Sequence, residues 1–422
     1  MAFGTALTGL NAASEALNVT GNNIANAGTT GFKRSRAEFG DIYSTAYGGM
    51  SNRSVGSGVQ LQAVTQHFTQ GSMNNTGNSL DLAVNGKGFF VFSDQGSQVY
   101  SRAGALQVDR DGYVVNSQGQ RLQVYAPISN SGSSPTFNQG NLTDVQLSTS
   151  AGTPQATSNV SALLDLSAQA SDLGAGTINP SDATSYTYST PATIYDSLGS
   201  PHTAIMYFRK DTTTPSTTTT AGSSTWDVLT QVDGNTVTTG GANQTQITFD
   251  DNGSLTSPAN GQIAYDAYSP STGASPLNLT LDLTGTSMFG DTNSVNSLTQ
   301  NGYTSGRLSG IDVSGTGVIS ARYTNGQSQA LGQVALADFA NPQGLQPVGN
   351  TAWAQTFASG DVRLGAPGSG TFGQVQSGSL ENSNVDLAKQ LVNLITEQRD
   401  YQANAKVITT ANTVTQTIIQ MS

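Results

Sequence analysis

Apolar residues near the start of the chain recur at alternating steps of three and four. Phe3, Leu7, Leu10, Leu17 and Ile24 fall on one line, completed by Ser14 and Gly21, and this spacing predicts a helix with a coiled-coil type of stripe, ending near Asn26. The far end repeats the pattern. Leu387, Leu391, Leu394, Tyr401, Ile408 and Ile419 share a second stripe with Gln398, Ala405, Asn412 and Thr415, and no proline interrupts it. The two ends are therefore expected to pair along one helical seam. Small and polar residues within both stripes make that seam weak, because a stable pair wants apolar residues at nearly every such position. Burial would be completed by copies of the chain packing side by side, which makes the ends candidate assembly segments. Two amphipathic helices lying on the body of a monomer are the other reading the pattern allows.

Between the ends the period changes from helical to strand-like. Glycines at 28, 31, 40, 48 and 49 mark irregular or short extended structure to about Gln70. Residues 80 to 92, LDLAVNGKGFFVF, run apolar around a glycine-rich turn, and Val99 to Tyr125 holds short strands separated by Asp111-Gly112 and Gln118-Gly119. ATIYDSLG, TAIMYFRK and TQITFDDNG read as strands of a separate Thr/Ser-rich region, and the tract Asp211 to Thr225 as an exposed loop. From about Gly302 the strand and turn rhythm resumes and stops near Gly378. The fold class expected is mixed and mainly β: a nested multidomain chain with terminal helices forming a coiled-coil-like stalk, a split β domain and an inserted outer β domain. The expected divisions are 1–30 with 385–422 as a helical assembly domain, 31–70 as a connecting segment, 71–146 with 302–384 as the split β domain, and 147–301 as the insert.

Composition adds a surface to this plan. Only 10% of the 422 residues are charged, well below the ~25% of a typical soluble protein, so surface polarity comes from Ser, Thr, Asn, Gln and Gly. The net charge is -11, and residues 147–301, with twelve aspartates, no glutamate and only Arg209 and Lys210, hold ten of those eleven charges. An acidic middle between nearly neutral ends fits an outer domain on a buried stalk. It argues against nucleic acid as a partner, since phosphate binding needs clustered Lys and Arg. There is no cysteine, no apolar run long enough to insert in a membrane as a helix, and no recognisable cleavable signal at the start.

Candidate chemistry is thin. His67 and His202 are far apart in sequence and read as surface or strand filler, and without cysteines no Cys/His metal cluster can form. Gly368 to Gly373 matches G-x-G-x-x-G, yet no helix is expected after it, so it reads as a loop. Asp109 to Gly112 and Asp250 to Gly253 read as turns, lacking the further ligands of a calcium loop. No catalytic, cofactor or metal residue is assigned. A carbohydrate-active enzyme built on carboxylates brought together by folding, and an extracellular β-rich adhesin, stay open on composition; neither explains the matched helical ends.

Three segments resemble one family, the axial proteins of the bacterial flagellum. NNIANAGTTGFKRSRAEF, Asn22 to Phe39, is similar to the motif of the rod and hook proteins. DLAVNGKGFFVF from Asp81 and YSRAGALQVDRDGYVVNSQGQRLQVY from Tyr100 resemble the start of their common β domain. SGSLENSNVDLAKQLVNLITEQRDYQANAKVI, Ser377 to Ile408, is similar to their closing helix. The large insert points to the hook branch. The resemblance implies a structural subunit that polymerises with itself into a flexible curved tube, a universal joint carrying torque from rod to filament. It implies export without a cleaved signal through the flagellar type III export apparatus and a place outside the cell in the hook and basal body. The partners it implies are the distal rod protein, hook cap protein, hook-length control protein and hook-filament junction protein. No cofactor, nucleic acid or membrane insertion is implied. The assembly interface would comprise Phe3, Leu7, Leu10, Leu17, Ile24, Leu387, Leu391, Leu394, Tyr401, Ile408 and Ile419. Asn22, Asn23, Ile24, Asn26, Gly31, Phe32 and Lys33 would join the inner helix to the β domain and fix subunit packing, although the asparagines have the plainer reading of helix caps.

Overall fold

The structure is a computed structural model and describes residues 2–42, 56–129, 135–147, 152–174, 176–211 and 223–421. Gly48, Gly49 and most of the Thr-rich tract after Asp211 lie outside these. The chain divides into two compact units: unit one comprises Met1–Thr149, Ser309–Arg322 and Ser328–Ser422, and unit two Ser150–Leu308 with Tyr323–Gln327.

Unit one begins and ends with helices, α1 (Ala2–Ala25) and α2 (Leu387–Met421). The Asp386 carboxylate accepts from the Lys389 N–H at 3.2 Å, capping the start of α2 and satisfying an amide that has no partner inside the helix. After α1 the chain forms a two-stranded antiparallel ribbon, Ser35–Asp41 against Val59–Gln66. The body is one large sheet woven from early and late sequence. Arg121–Ser129 lies between Phe89–Asp94 and Ser328–Val334, with Phe92 opposite Leu122 and Tyr125 opposite Gln333. Two further pairs join early strands to late ones: Leu82–Asn85 with Gln374–Ser377, and Met73–Asn75 with Ser379–Glu381. Phe89, Val91, Tyr100, Phe339 and Trp353 form the core. Its rings meet edge to face, as their quadrupoles favour, with Tyr100 and Phe339 centred 4.8 Å apart.

Unit two holds two sheets that share one core. One runs through Tyr188–Tyr195, Pro201–Lys210, Ser224–Val232 and Thr245–Phe249. The other centres on Asn159–Ser167, which alternates buried and open positions as a strand with one face on a core should. Leu164, Leu166, Phe208, Trp226 and Phe249 meet between them.

Candidate functional site

The two helices pair antiparallel, but not along the predicted stripes. On α1 the line facing α2 is Ala6, Gly9, Ala13, Ala16, Thr20 and Asn23, of which Ala6, Ala13, Thr20 and Asn23 are buried. This line has the same three-four spacing as the large apolar one and lies one position before it. On α2 the facing line includes the polar Gln390, Glu397 and Asn404, with Leu394 and Ile408 half-buried along it. The Thr20 hydroxyl donates to Glu397 Oε1 at 2.9 Å, Asn23 reaches Gln390 at 3.5 Å, and a Cβ on Gly9 would lie 2.7 Å from Asn404 Oδ1. Small side chains let the helix axes approach closely, so the contact is made by what is missing rather than by interlocked leucines. Glu397 Oε2 is buried without a hydrogen bond, and burial, with help from Asp400 and against Thr20, pushes its carboxyl above the usual range.

The expected single seam through the large residues is therefore corrected on α1, where the facing line is the small one, and about half of the large residues are left open. Phe3 (55%), Leu7, Leu387, Leu391 (50%), Tyr401 and Ile419 are exposed, while Leu10, Leu17, Ile24, Leu394 and Ile408 are half-buried. Val392, Ile395, Val407, Val414 and Ile418 add to the exposed apolar surface of α2 and escape a strict heptad reading. The register brings the start of α1 level with Ala411, beyond which residues 412–420 of α2 are all exposed.

At the base of the helix pair the Asn-rich motif folds into a buried polar knot. Asn26 Nδ2 donates to the Asn22 carbonyl at 2.9 Å, an ordinary helix ending. Asn23 does more: its amide donates to the Ser35 carbonyl and its oxygen accepts from the Ser35 N–H, both at 2.8 Å, fastening the ribbon to α1. Gly31 takes φ +70°, where a Cβ would meet the Ala103 nitrogen at 2.5 Å, so only glycine fits. Phe32 is half-buried and its carbonyl accepts from the Asn384 N–H at 3.4 Å.

Lys33 is the centre of the knot. Its ammonium lies 2.6 Å from Glu381 Oε1, with neither side chain exposed, and also donates to the Thr69 carbonyl at 2.9 Å. Arg102 approaches Glu381 Oε2 at 3.2 Å and donates to the Gly86 carbonyl at 2.8 Å. Burial pulls both cations below their ordinary pKa values, and Glu381 opposes it. Asn384 closes the arrangement, accepting from the Arg34 N–H at 2.8 Å and donating to the His67 carbonyl at 2.7 Å. Segments from five parts of the chain thus meet at the foot of both helices. Sequence reading found Lys33 but neither of its partners.

The remaining candidates for chemistry resolve as structure. Asp109 Oδ1 accepts from the Asp111 and Tyr113 amides, and Asp250 Oδ1 from those of Asn252 and Ser254, which makes both segments side-chain-braced turns. Gly368 to Gly373 closes on itself and leads into the strand Gln374–Ser377, not a helix. His202 is no filler: it is buried between Asp233 at 2.5 Å and Asp196 at 3.2 Å. Among the described residues no group of His, Asp and Glu could hold a metal ion, and no helix is long and apolar enough to cross a membrane.

Four family models match in order along the chain: flagella basal body rod protein over residues 3–33, flagellar hook protein FlgE/F/G D1 domain over 83–155, flagellar basal body protein FlaE D2 domain over 164–303, and flagellar basal body rod FlgEFG protein C-terminal over 376–421. The chain is 37% identical to the flagellar hook protein FlgE of Escherichia coli over 100% of both chains. It is 31% identical to that of Borreliella burgdorferi over 98% of both. A crystal structure of the Helicobacter pylori flagellar hook protein FlgE2 superposes with a TM-score of 0.54 at 16% identity, covering 73% of this chain and 100% of that one; that likeness concerns the fold.

Proposed function

We propose how this chain, which belongs to the flagellar hook protein family and is a structural subunit of the flagellar hook, is held in that assembly: α1 and α2 pair through small and polar residues and offer their large apolar residues to neighbouring copies. The observation that carries the proposal is the inversion of the helix pair, which buries Ala6 and Ala13 and exposes Phe3, Leu7, Leu387 and Leu391. Each leucine or phenylalanine buried between copies contributes ~1.5–3 kcal/mol, enough in sum to offset the ordering of long helices. The assembly residues would be Phe3, Leu7, Leu10, Leu17, Ile24, Leu387, Leu391, Leu394, Tyr401, Ile408 and Ile419. The knot around Lys33 and its neighbours Asn22, Asn23, Asn26, Gly31 and Phe32 would fix the angle at which the helices leave the β body.

The subunit would then polymerise into a curved tube that bends while transmitting torque, with the helices in an inner layer and unit two outside. Short Ser, Thr, Asn and Gly side chains on the outer unit suit sliding between neighbours better than interlocked leucines do. Export would follow the flagellar type III export apparatus without signal cleavage. The distal rod protein, hook cap protein, hook-length control protein and hook-filament junction protein would be the heterologous partners.

Electron microscopy of the chain after induced polymerisation, beside one lacking residues 1–30 and 385–422, tests the core of this. Tubes are expected from the full chain alone. Tubes from the shortened chain would remove the helices from the assembly.

A further inference from the structure

In unit one a cleft of about 270 Å³ is walled by the second half of α1, by the ribbon strand Ser35–Asp41 and by the first turns of α2. Its charged lining residues are Arg34, Arg36, His67, Lys389 and Glu397. The chain has 16 Lys and Arg and 2 His among 422 residues and a net charge of -11. Three of those cations and one of the histidines therefore gather in one small hollow of an acidic, cation-poor protein.

The protein does not neutralise this charge itself. Arg36 pairs with Glu38 at 2.6 Å, and the same Glu38 oxygen accepts from the Thr65 hydroxyl at 2.9 Å, so that carboxylate is committed. Glu397 is held by the Thr20 hydroxyl, and burial moves its carboxyl toward the neutral form. Among the described residues, no hydrogen bond or ion pair engages the Arg34 guanidinium or the Lys389 ammonium. His67 registers the imbalance. Burial first, then the charges of Arg34 and Arg36, draw its imidazole below the ordinary 6.5, with Glu38 opposing them. A cleft lined by one sign of charge concentrates ions of the other sign.

We infer that this cleft is a binding site for a small tetrahedral oxyanion carrying two charges, phosphate or sulfate in kind. Each guanidinium offers paired donors in a fork that matches such oxygens, and the Lys389 ammonium adds a point contact. Asn393 supplies a neutral amide donor to the same lining. The volume holds the ion together with several waters, each of which takes about 30 Å³ in the liquid. Bound there, the ion bridges the ribbon to the first turns of α2. It is a second fastening beside Asn384, which already joins the Arg34 N–H to the His67 carbonyl.

Because the chain has two histidines, each imidazole can be followed singly by NMR, and His67→Gln identifies the signal of His67. The two are titrated in sodium sulfate and in sodium chloride at equal ionic strength, sulfate being the probe because its charge stays fixed through the range. His67 is expected to titrate about one unit higher in sulfate, a tenfold change in its proton equilibrium, and His202 to give one curve in both salts. A chain carrying Arg34→Gln and Lys389→Gln, which removes no bond of the fold, should lose the difference at unchanged helix content by circular dichroism. Equal His67 curves in the two salts of the wild type would overturn the site without recourse to any variant. A difference that persists in the folded double variant would overturn it too, since the ion would then be held elsewhere.

Discussion

The Lys33, Glu381 and Arg102 cluster brings two cations to one carboxylate in a place that water does not reach. Removing one member of a buried charge cluster leaves the others uncompensated, so Glu381→Gln is expected to cost about 3–5 kcal/mol of unit one's stability. Urea unfolding followed by Trp353 fluorescence measures it, and a loss below about 1 kcal/mol would show the cluster to be incidental. In unit two, burial works against a charged His202, but hydrogen bonds to Asp233 and Asp196 outweigh it and raise the imidazole above its ordinary value of 6.5. For Asp196 burial acts upward, and hydrogen bonds from Thr272, Ser200, His202 and Leu198 bring it down to about 2. The His202 contribution is complete below 6.5 and lost as pH rises through the raised value; the Asp196 contribution is complete above 3.8 and lost as pH falls toward about 2. Unit two should be most stable between these ordinary values, and His202→Gln should flatten the alkaline decline when Trp226 is followed in a Trp353→Phe chain. Sequence reading placed Lys33 in a motif but could not pair it, because Glu381 lies 348 positions away. It passed over His202 although Asp196 is six positions away, because no local pattern distinguishes a bridged histidine from an idle one.

The helices were legible in the sequence because their three-four periodicity is long and unbroken, and α2 begins at Leu387 as the pattern predicts. Which face they share was not. Large residues dominate a hydrophobic reading, and the parallel line of Ala6, Gly9, Ala13 and Ala16 was in plain view beside them. Close approach depends on that line, so Ala13→Leu should overpack the pair by about 1–3 kcal/mol. Hydrogen exchange of the α1 amides reads the effect directly: exchange should speed up along α1, and an unchanged profile would mean the helices are held by their ends alone. The ribbon Ser35–Asp41 with Val59–Gln66 was expected only as irregular or extended chain, since a strand pair with mostly half-open faces shows no clean alternation.

At the scale of the molecule the change from helical to strand-like periods and the acidic middle made a nested plan legible, whereas the interleaving of strands in unit one was not. Nothing in the order of the sequence says that Arg121–Ser129 takes Ser328–Val334 on one side and Phe89–Asp94 on the other. If unit two tunes bending and the helices hold the tube, deleting residues 147–301 should leave tubes that are straighter or altered in stiffness. Micrographs showing no tubes at all would contradict that division. The nesting also sets an order in time. α1 is synthesised before the β body and α2 after it, so α1 emerges without the helix that buries its Ala6 and Ala13. Lys33 and Arg102 likewise wait for Glu381 until most of the chain has emerged. A chain cut short before Glu381 can give neither Lys33 and Arg102 their shared carboxylate nor α1 its partner, so this part of the fold closes only after nearly the whole length has been made.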